Sequence, residues 1–256
     1  MAVSCVQWLY IYSVGSDCIL RGVTYSAGSD CDFHERLFIL TRIVANQRTR
    51  LRPDERRAQL LTCALSAFAE HGLARATHSQ VAERALVSVS AVYSYFRTRD
   101  DLVSAVLDEV ADYLDRIASE TLGGRFGVYD ALMALGHRFA QDALDQPDML
   151  KVWLDWSTGV DGASWPRYLD VLDRLHDAAA AVFEQGKKEG VVSSALDAQA
   201  AARIYMGGGH TVALMQFAGV SRRELDVVID QLARGAMGVG LGSPVDGLTA
   251  EPTESG

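Results

Sequence analysis

Apolar residues recur at helical spacing from Pro53 onward, in segments with recognisable ends. In "PDERRAQLLTCALSAFAEHG" the side chains Leu60, Leu61, Ala64, Leu65 and Phe68 share one face. Pro53 suits the first helical position, Asp54 and Glu55 suit the positive end, and Gly72 predicts the stop. In "THSQVAERA", Thr77 and Gln80 have the spacing of a reciprocal N-terminal cap, and Val81 and Ala82 can face inward. After the turn "LVS", Ser88 predicts the cap of a second short helix, "VSAVYSYF". Thr98 and Asp101 then cap a long helix striped by Leu102, Ala105, Val106, Val110, Tyr113, Leu114 and Ile117. Two short helices joined by a tight turn between two long ones predict a helix-turn-helix.

The second short helix is the informative one. Val92 and Phe96 are spaced i, i+4 and can anchor it inward, which turns Ser90, Tyr93 and Ser94 outward with Val89 at the leading edge. Small and hydroxyl-bearing side chains let a helix sit deep in the major groove and offer hydrogen bonds and methyl contacts to base edges. The candidate DNA-facing set is His78, Ser79, Ser88, Val89, Ser90, Ala91, Tyr93 and Ser94. Tyr95, Thr98 and Arg99 fall where the phosphate backbone should run. In the lead-in "NQRTRLR", Arg48 and Arg50 alternate as in arms that enter a narrow minor groove. The bland readings are a helical hairpin with an incidentally polar face and a solvated basic tail.

The helical period continues to about residue 240. "SWPRYLDVLDRLHDAAAAVFEQGKKEG" predicts a stripe of Tyr168, Leu169, Leu172, Leu175, Ala179, Val182 and Phe183. Small-residue runs at Ala178–Ala181 and Gly207–Gly209 would let two consecutive helices approach closely, across a subunit interface or within one chain. Each helical glycine costs roughly 1 kcal/mol against alanine, so a compensating contact is expected. Phe139, Met149, Trp153, Trp156, Leu172 and His176 are candidates to line an apolar ligand cavity; the alternative is ordinary core. His137, His176 and His210 lack metal-ligand spacing.

Charge is divided unevenly along the chain. Residues 47–101 hold nine Arg and six acidic side chains, whereas residues 102–256 hold twelve basic and twenty-three acidic ones. A basic section on an acidic body, within a net charge of −9, suggests that one end meets a polyanion. Cys5, Cys18, Cys31 and Cys63 show no CxxC spacing, so neither a disulfide framework nor a zinc site is indicated, which suits a reducing cytoplasm. Residues 1–46 show no signal-peptide pattern and no helical period. They read as a poorly ordered extension from a misassigned start, or else as a small module, and residues 241–256 as a disordered tail. The intervening chain divides into a helix-turn-helix domain, 47–101, and a ligand-binding and dimerisation domain, 102–240. No GxSxG, HExxH, GxGxxG or P-loop occurs, so no catalytic residue, cofactor or metal is assigned.

"AFAEHGLARATHSQVAERALVSVSAVYSYFRTRDDLVSAVL" resembles the DNA-binding domain of the TetR family. "RTRL", "VSVSAVYSYFRTRDDLV" and "LKVWLDWS" followed by "WP" resemble its HapR/LuxR-type branch, the quorum-sensing master regulators of vibrios. The resemblance covers about residues 47 to 240. It implies an all-α fold with an N-terminal three-helix head and a C-terminal helical regulatory domain. It further implies a cytoplasmic homodimer on a near-palindromic DNA operator, linked to a small apolar ligand or to quorum sensing. The chain departs from the pattern at Arg97, where proline is common, and at Tyr93 and Ser94, so the operator can differ. Arg52 stands where a capping serine is usual, which should weaken that helix start by around 1 kcal/mol. The competing readings are an all-helical small-molecule enzyme using the Trp-rich pocket, and a protein-interaction adaptor.

Overall fold

The computed structural model describes residues 51–124, 126–160 and 162–239. Arg48, Arg50, Cys5, Cys18, Cys31, the 1–46 segment and the 241–256 tail lie outside the described residues.

Nine helices and no strand occur among the described residues: α1 (Pro53–His71), α2 (His78–Arg84), α3 (Val89–Tyr95), α4 (Arg99–Leu122), α5 (Val128–Asp145), α6 (Pro147–Ser157), α7 (Trp165–Glu189), α8 (Ala198–Phe217) and α9 (Arg222–Met237). Their ends follow local chemistry. The Gln80 backbone N–H donates to Thr77 Oγ1, and Thr77 N–H donates back to Gln80 Oε1 at 2.8 Å. Ser88 Oγ accepts from Ala91 N–H at 3.2 Å, and Thr98 and Asp101 cap each other. Arg52 carries no acceptor and cannot cap α1. The Glu55 carboxylate instead accepts from Arg52 N–H at 2.9 Å and pairs with its guanidinium, restoring half of the expected capping.

Helix α1 buries Leu60, Ala64 and Phe68 as the spacing predicts, while Leu61 and Leu65 are half-buried. Every predicted stripe residue of α4 is buried. On α7, Leu169 is exposed and Val171 is buried in its place, because inward positions follow Tyr168 by three and seven residues rather than one. Gly136 on α5 faces α9 so closely that a Cβ there would lie 2.5 Å from Ile229 Cγ2. Gly208 on α8 likewise makes room for Leu232 of α9. Ala179 and Ala180 are buried within the chain, whereas a Cβ added at Gly207 would meet nothing within 4 Å. The small-residue runs therefore serve mainly packing inside the subunit.

The head and body join at α6. The Asp155 carboxylate accepts from Leu73 N–H at 2.7 Å, next to the left-handed Gly72 that ends α1. Arg99 donates to the carbonyls of Leu73 and Ala76, closing the same turn from the α4 side. Arg174 bridges α7 to Asp115 of α4 at 2.7 Å.

Candidate nucleic-acid interface

Helices α2 and α3 meet around a turn in which Val87 N–H donates to Ala82 O at 3.0 Å. The turn passes through Leu86 in left-handed conformation with φ of 53°, at a steric cost of roughly 1 kcal/mol. Val92 and Phe96 are buried, as the i, i+4 spacing predicts. Val89, Ser90, Tyr93 and Ser94 are exposed, while Ala91 and Tyr95 are half-buried. Ser94 Oγ donates to Ala91 O at 2.6 Å, leaving its lone pairs outward, and the Ser88 and Ser90 hydroxyls lie 3.0 Å apart. Ser79, Thr98 and the departing Arg97 are exposed beside this surface.

Two candidates are placed differently from the expectation. His78 is buried: its ring stacks on Tyr93 with centroids 4.1 Å apart, and its Nε2 lies 2.9 Å from Phe96 O. It cannot present its ring outward because both the face and the Nε2 edge are occupied. Arg99 folds back onto the α1–α2 turn, so its guanidinium is committed to carbonyls rather than held free for phosphate. Sequence reading missed Arg57, whose guanidinium lies 5.3 Å from the centre of the Phe96 ring and adds a cation beside the end of α3. The two are thirty-nine positions apart in sequence, so only tertiary packing reveals the pairing.

In the body, α4, α5, α6, α7, α8 and α9 surround a cavity of about 50 Å³. Phe139, Trp153 and Leu172, three of the six candidates, line it. Met149, Trp156 and His176 do not: Met149 and Trp156 are core, with Trp156 Nε1 donating to Ser164 O at 3.1 Å. His176 is buried elsewhere with no partner at Nδ1. Tyr205 and His210 were not foreseen. Both come from α8, whose turn toward the cavity depends on the close α8–α9 approach.

Among the described residues no Asp, Glu, Lys or Arg lines the cavity, and its titratable groups are Tyr205 and His210. The Tyr205 hydroxyl is committed to Leu132 O. Burial pushes its pKa upward and pushes that of His210 below the ordinary histidine value. Trp153 lies 5.9 Å from His210 and 4.7 Å from Tyr168, ring centre to ring centre. A histidine kept neutral by burial takes up its proton more readily once the chain unfolds. Stability should therefore be full above about pH 6.5 and fall as the pH drops from there through the folded value. Thermal melts of His210→Leu between pH 7 and 5 should show a shallower decline than the parent chain, with the buried His176 supplying the remainder.

Residues 60–106 match the family model for bacterial regulatory proteins of the tetR family. The chain is 35% identical over 131 residues to the HTH-type transcriptional regulator LuxR of Vibrio harveyi, spanning 50% of this chain and 62% of that one. The alignment thus spans less than two thirds of that relative. Among solved structures, a TetR-like transcriptional regulator from Rhodococcus sp. RHA1 superposes with a TM-score of 0.61 at 20% identity, covering 73% of this chain and 98% of that one. A transcriptional regulator FadR from Bacillus subtilis, solved in complex with stearoyl-CoA, superposes with a TM-score of 0.57 at 16% identity, covering 70% and 97%. The helix-turn-helix segment is thus similar to the tetR family of bacterial regulatory proteins over residues 60–106, and the helices around it share the fold of TetR-like structures.

Proposed function

We propose that this chain is a sequence-specific, DNA-binding transcription regulator that acts as a homodimer on a near-palindromic operator. The observation that carries the reading is the exposure of Ser90, Tyr93 and Ser94 on α3, held out by the buried Val92 and Phe96. Residues 47–101 form the DNA-binding head and residues 102–240 the ligand-binding and dimerisation body. Ser79, Ser88, Val89, Ala91, Tyr95 and Thr98 complete the DNA-facing surface, and in this reading the sequence arginines Arg48 and Arg50 contact the minor groove. It works in the cytoplasm, where such DNA resides, and carries out no catalysis.

The dimer face is on α8 and α9. Ile204, Gly207, Thr211 and Leu214 form an exposed column on α8, and Val227, Gln231 and Gly235 form one on α9. Two neighbouring helices with exposed columns that are apolar apart from Thr211 and Gln231 fit a second copy around a twofold axis, giving a four-helix contact.

The cavity is the ligand site of this reading, and its lining supports a small, uncharged, apolar ligand with one polar group directed at His210. An acyl-CoA like that in the B. subtilis structure does not suit it, because a long chain and a phosphate-bearing headgroup would meet a small cavity without a cation. Ligand entry beside Trp153 would bear on α6, which holds the head through Asp155. A quorum-linked role has its support in the resemblance to the LuxR-type relative.

Selection of bound fragments from genomic DNA tests the function. The expected product is a near-palindrome with half-sites about one helical turn apart, bound with an affinity that falls linearly with log salt. Tyr93→Ala should lower affinity for that operator about tenfold and for random DNA less than about twofold, the cost of one lost base-edge contact. Protein that retains no DNA in a sequence-selective, salt-dependent way overturns the reading.

A further inference from the structure

We infer that His78 is a positioning residue that sets operator selectivity by holding the Tyr93 ring in its DNA-reading pose without touching DNA itself. The inference rests on the regulator reading above. Three observations carry it. The His78 ring lies nearly parallel to that of Tyr93, at an interplanar angle of 7° and 4.1 Å between centroids. Its own orientation is fixed by Nε2, which donates to Phe96 O at 2.9 Å, so the stacking platform cannot rotate away. Tyr93 is 48% exposed, and its hydroxyl meets no protein partner among the described residues.

An exposed tyrosine on a seven-residue helix would ordinarily sample several rotamers, and ordering it on binding would cost affinity. The stack orders it beforehand. It also covers one face of the phenol ring, so no base can stack there. What remains for DNA is the ring edge and the hydroxyl, a combination suited to hydrogen bonding and methyl contact in the major groove. The Phe96 carbonyl ties the same histidine to the C-terminal end of α3. His78 therefore couples the pose of the reading side chain to the seating of the helix that bears it.

A double-mutant cycle separates this role from simple core packing. His78→Gln removes the ring but keeps a side-chain donor for Phe96 O. It should weaken operator binding about tenfold and random-DNA binding less than about twofold. In a Tyr93→Ala background the same change should cost less than about twofold on the operator, since nothing remains to be positioned. His78→Phe keeps the ring and should retain operator affinity within about threefold. It also provides a folded comparison should His78→Gln melt early.

Equal losses on operator and random DNA, or losses that multiply in the double variant, would mean that His78 only supports the fold. That result would overturn the inference and leave the regulator reading intact. Failure of the parent chain to select any DNA would instead overturn the regulator reading.

Discussion

Leu214→Glu should leave the chain monomeric and lower its affinity for the selected operator by about two orders of magnitude or more. Leu214 is 58% exposed on α8, in line with Ile204 at 64%, and Val227 of α9 is 49% exposed beside them. A Cβ added at Gly207 or Gly235 would meet nothing within 4 Å, so a facing helix can approach the backbone at both levels. A glutamate in this column would have to be buried against a second apolar column, and an unpaired buried carboxylate costs several kcal/mol. Two heads joined in one particle engage the second half-site at high effective concentration, an advantage of about 10²–10⁴ that a monomer forfeits. Size-exclusion chromatography with light scattering reads the mass, and gel retardation at fixed salt reads the affinity. A dimer of parental operator affinity would show that the subunits meet through another surface. The monomeric variant should remain folded, because the residue touches little of its own subunit, but its melting midpoint should no longer rise with protein concentration as a dimer's does.

How legible these features were depended on the distance between partners in sequence. Caps were readable because each one closes within three residues: Thr77 with Gln80, Ser88 with Ala91, Thr98 with Asp101. The α4 stripe was readable because a long helix against a single core repeats its signal many times. His78 was misread because the first residue of a short helix has no periodicity to place it. Its burial is decided by Phe96, eighteen residues later, and by the ring of Tyr93. Within the cavity set, Phe139, Trp153 and Leu172 were found by size and proximity, but proximity also admitted Met149, Trp156 and His176, which point elsewhere. Tyr205 and His210 enter only because Gly136 and Gly208 let α9 close upon α5 and α8. The proposed dimer face illustrates the same limit. The glycine run suggested close approach, yet only Gly207 of the three faces outward, and the apolar columns emerge once the inward sides of α8 and α9 are known.

Phe96→Ala should destabilise the chain by about 3–5 kcal/mol, the usual cost of emptying an aromatic site in a packed core. Phe96 is 2% exposed, and three elements converge on it: α3, which it terminates; α2, through His78 Nε2 on its carbonyl; and α1, through Arg57 over its ring. Because the ring is enclosed from several sides, collapse of one neighbour cannot fill the space, which places the cost toward the upper part of that range. For a chain of this size each kcal/mol moves the midpoint by roughly 2–4 °C, so the melt should shift down by about 6–20 °C. Leu169→Ala serves as the control, since Leu169 is exposed on α7 and its loss should stay within about 0.5 kcal/mol. If the two variants melted alike, Phe96 would not be the inner anchor of α3, and the outward pose of Ser90, Tyr93 and Ser94 would lose its mechanical cause. The same substitution should abolish operator selectivity below the melting point, because Val92 alone leaves the C-terminal half of α3 free to swing. Parental selectivity in a folded Phe96→Ala chain would show instead that the DNA-reading surface is held by α2 and its turn without the second anchor.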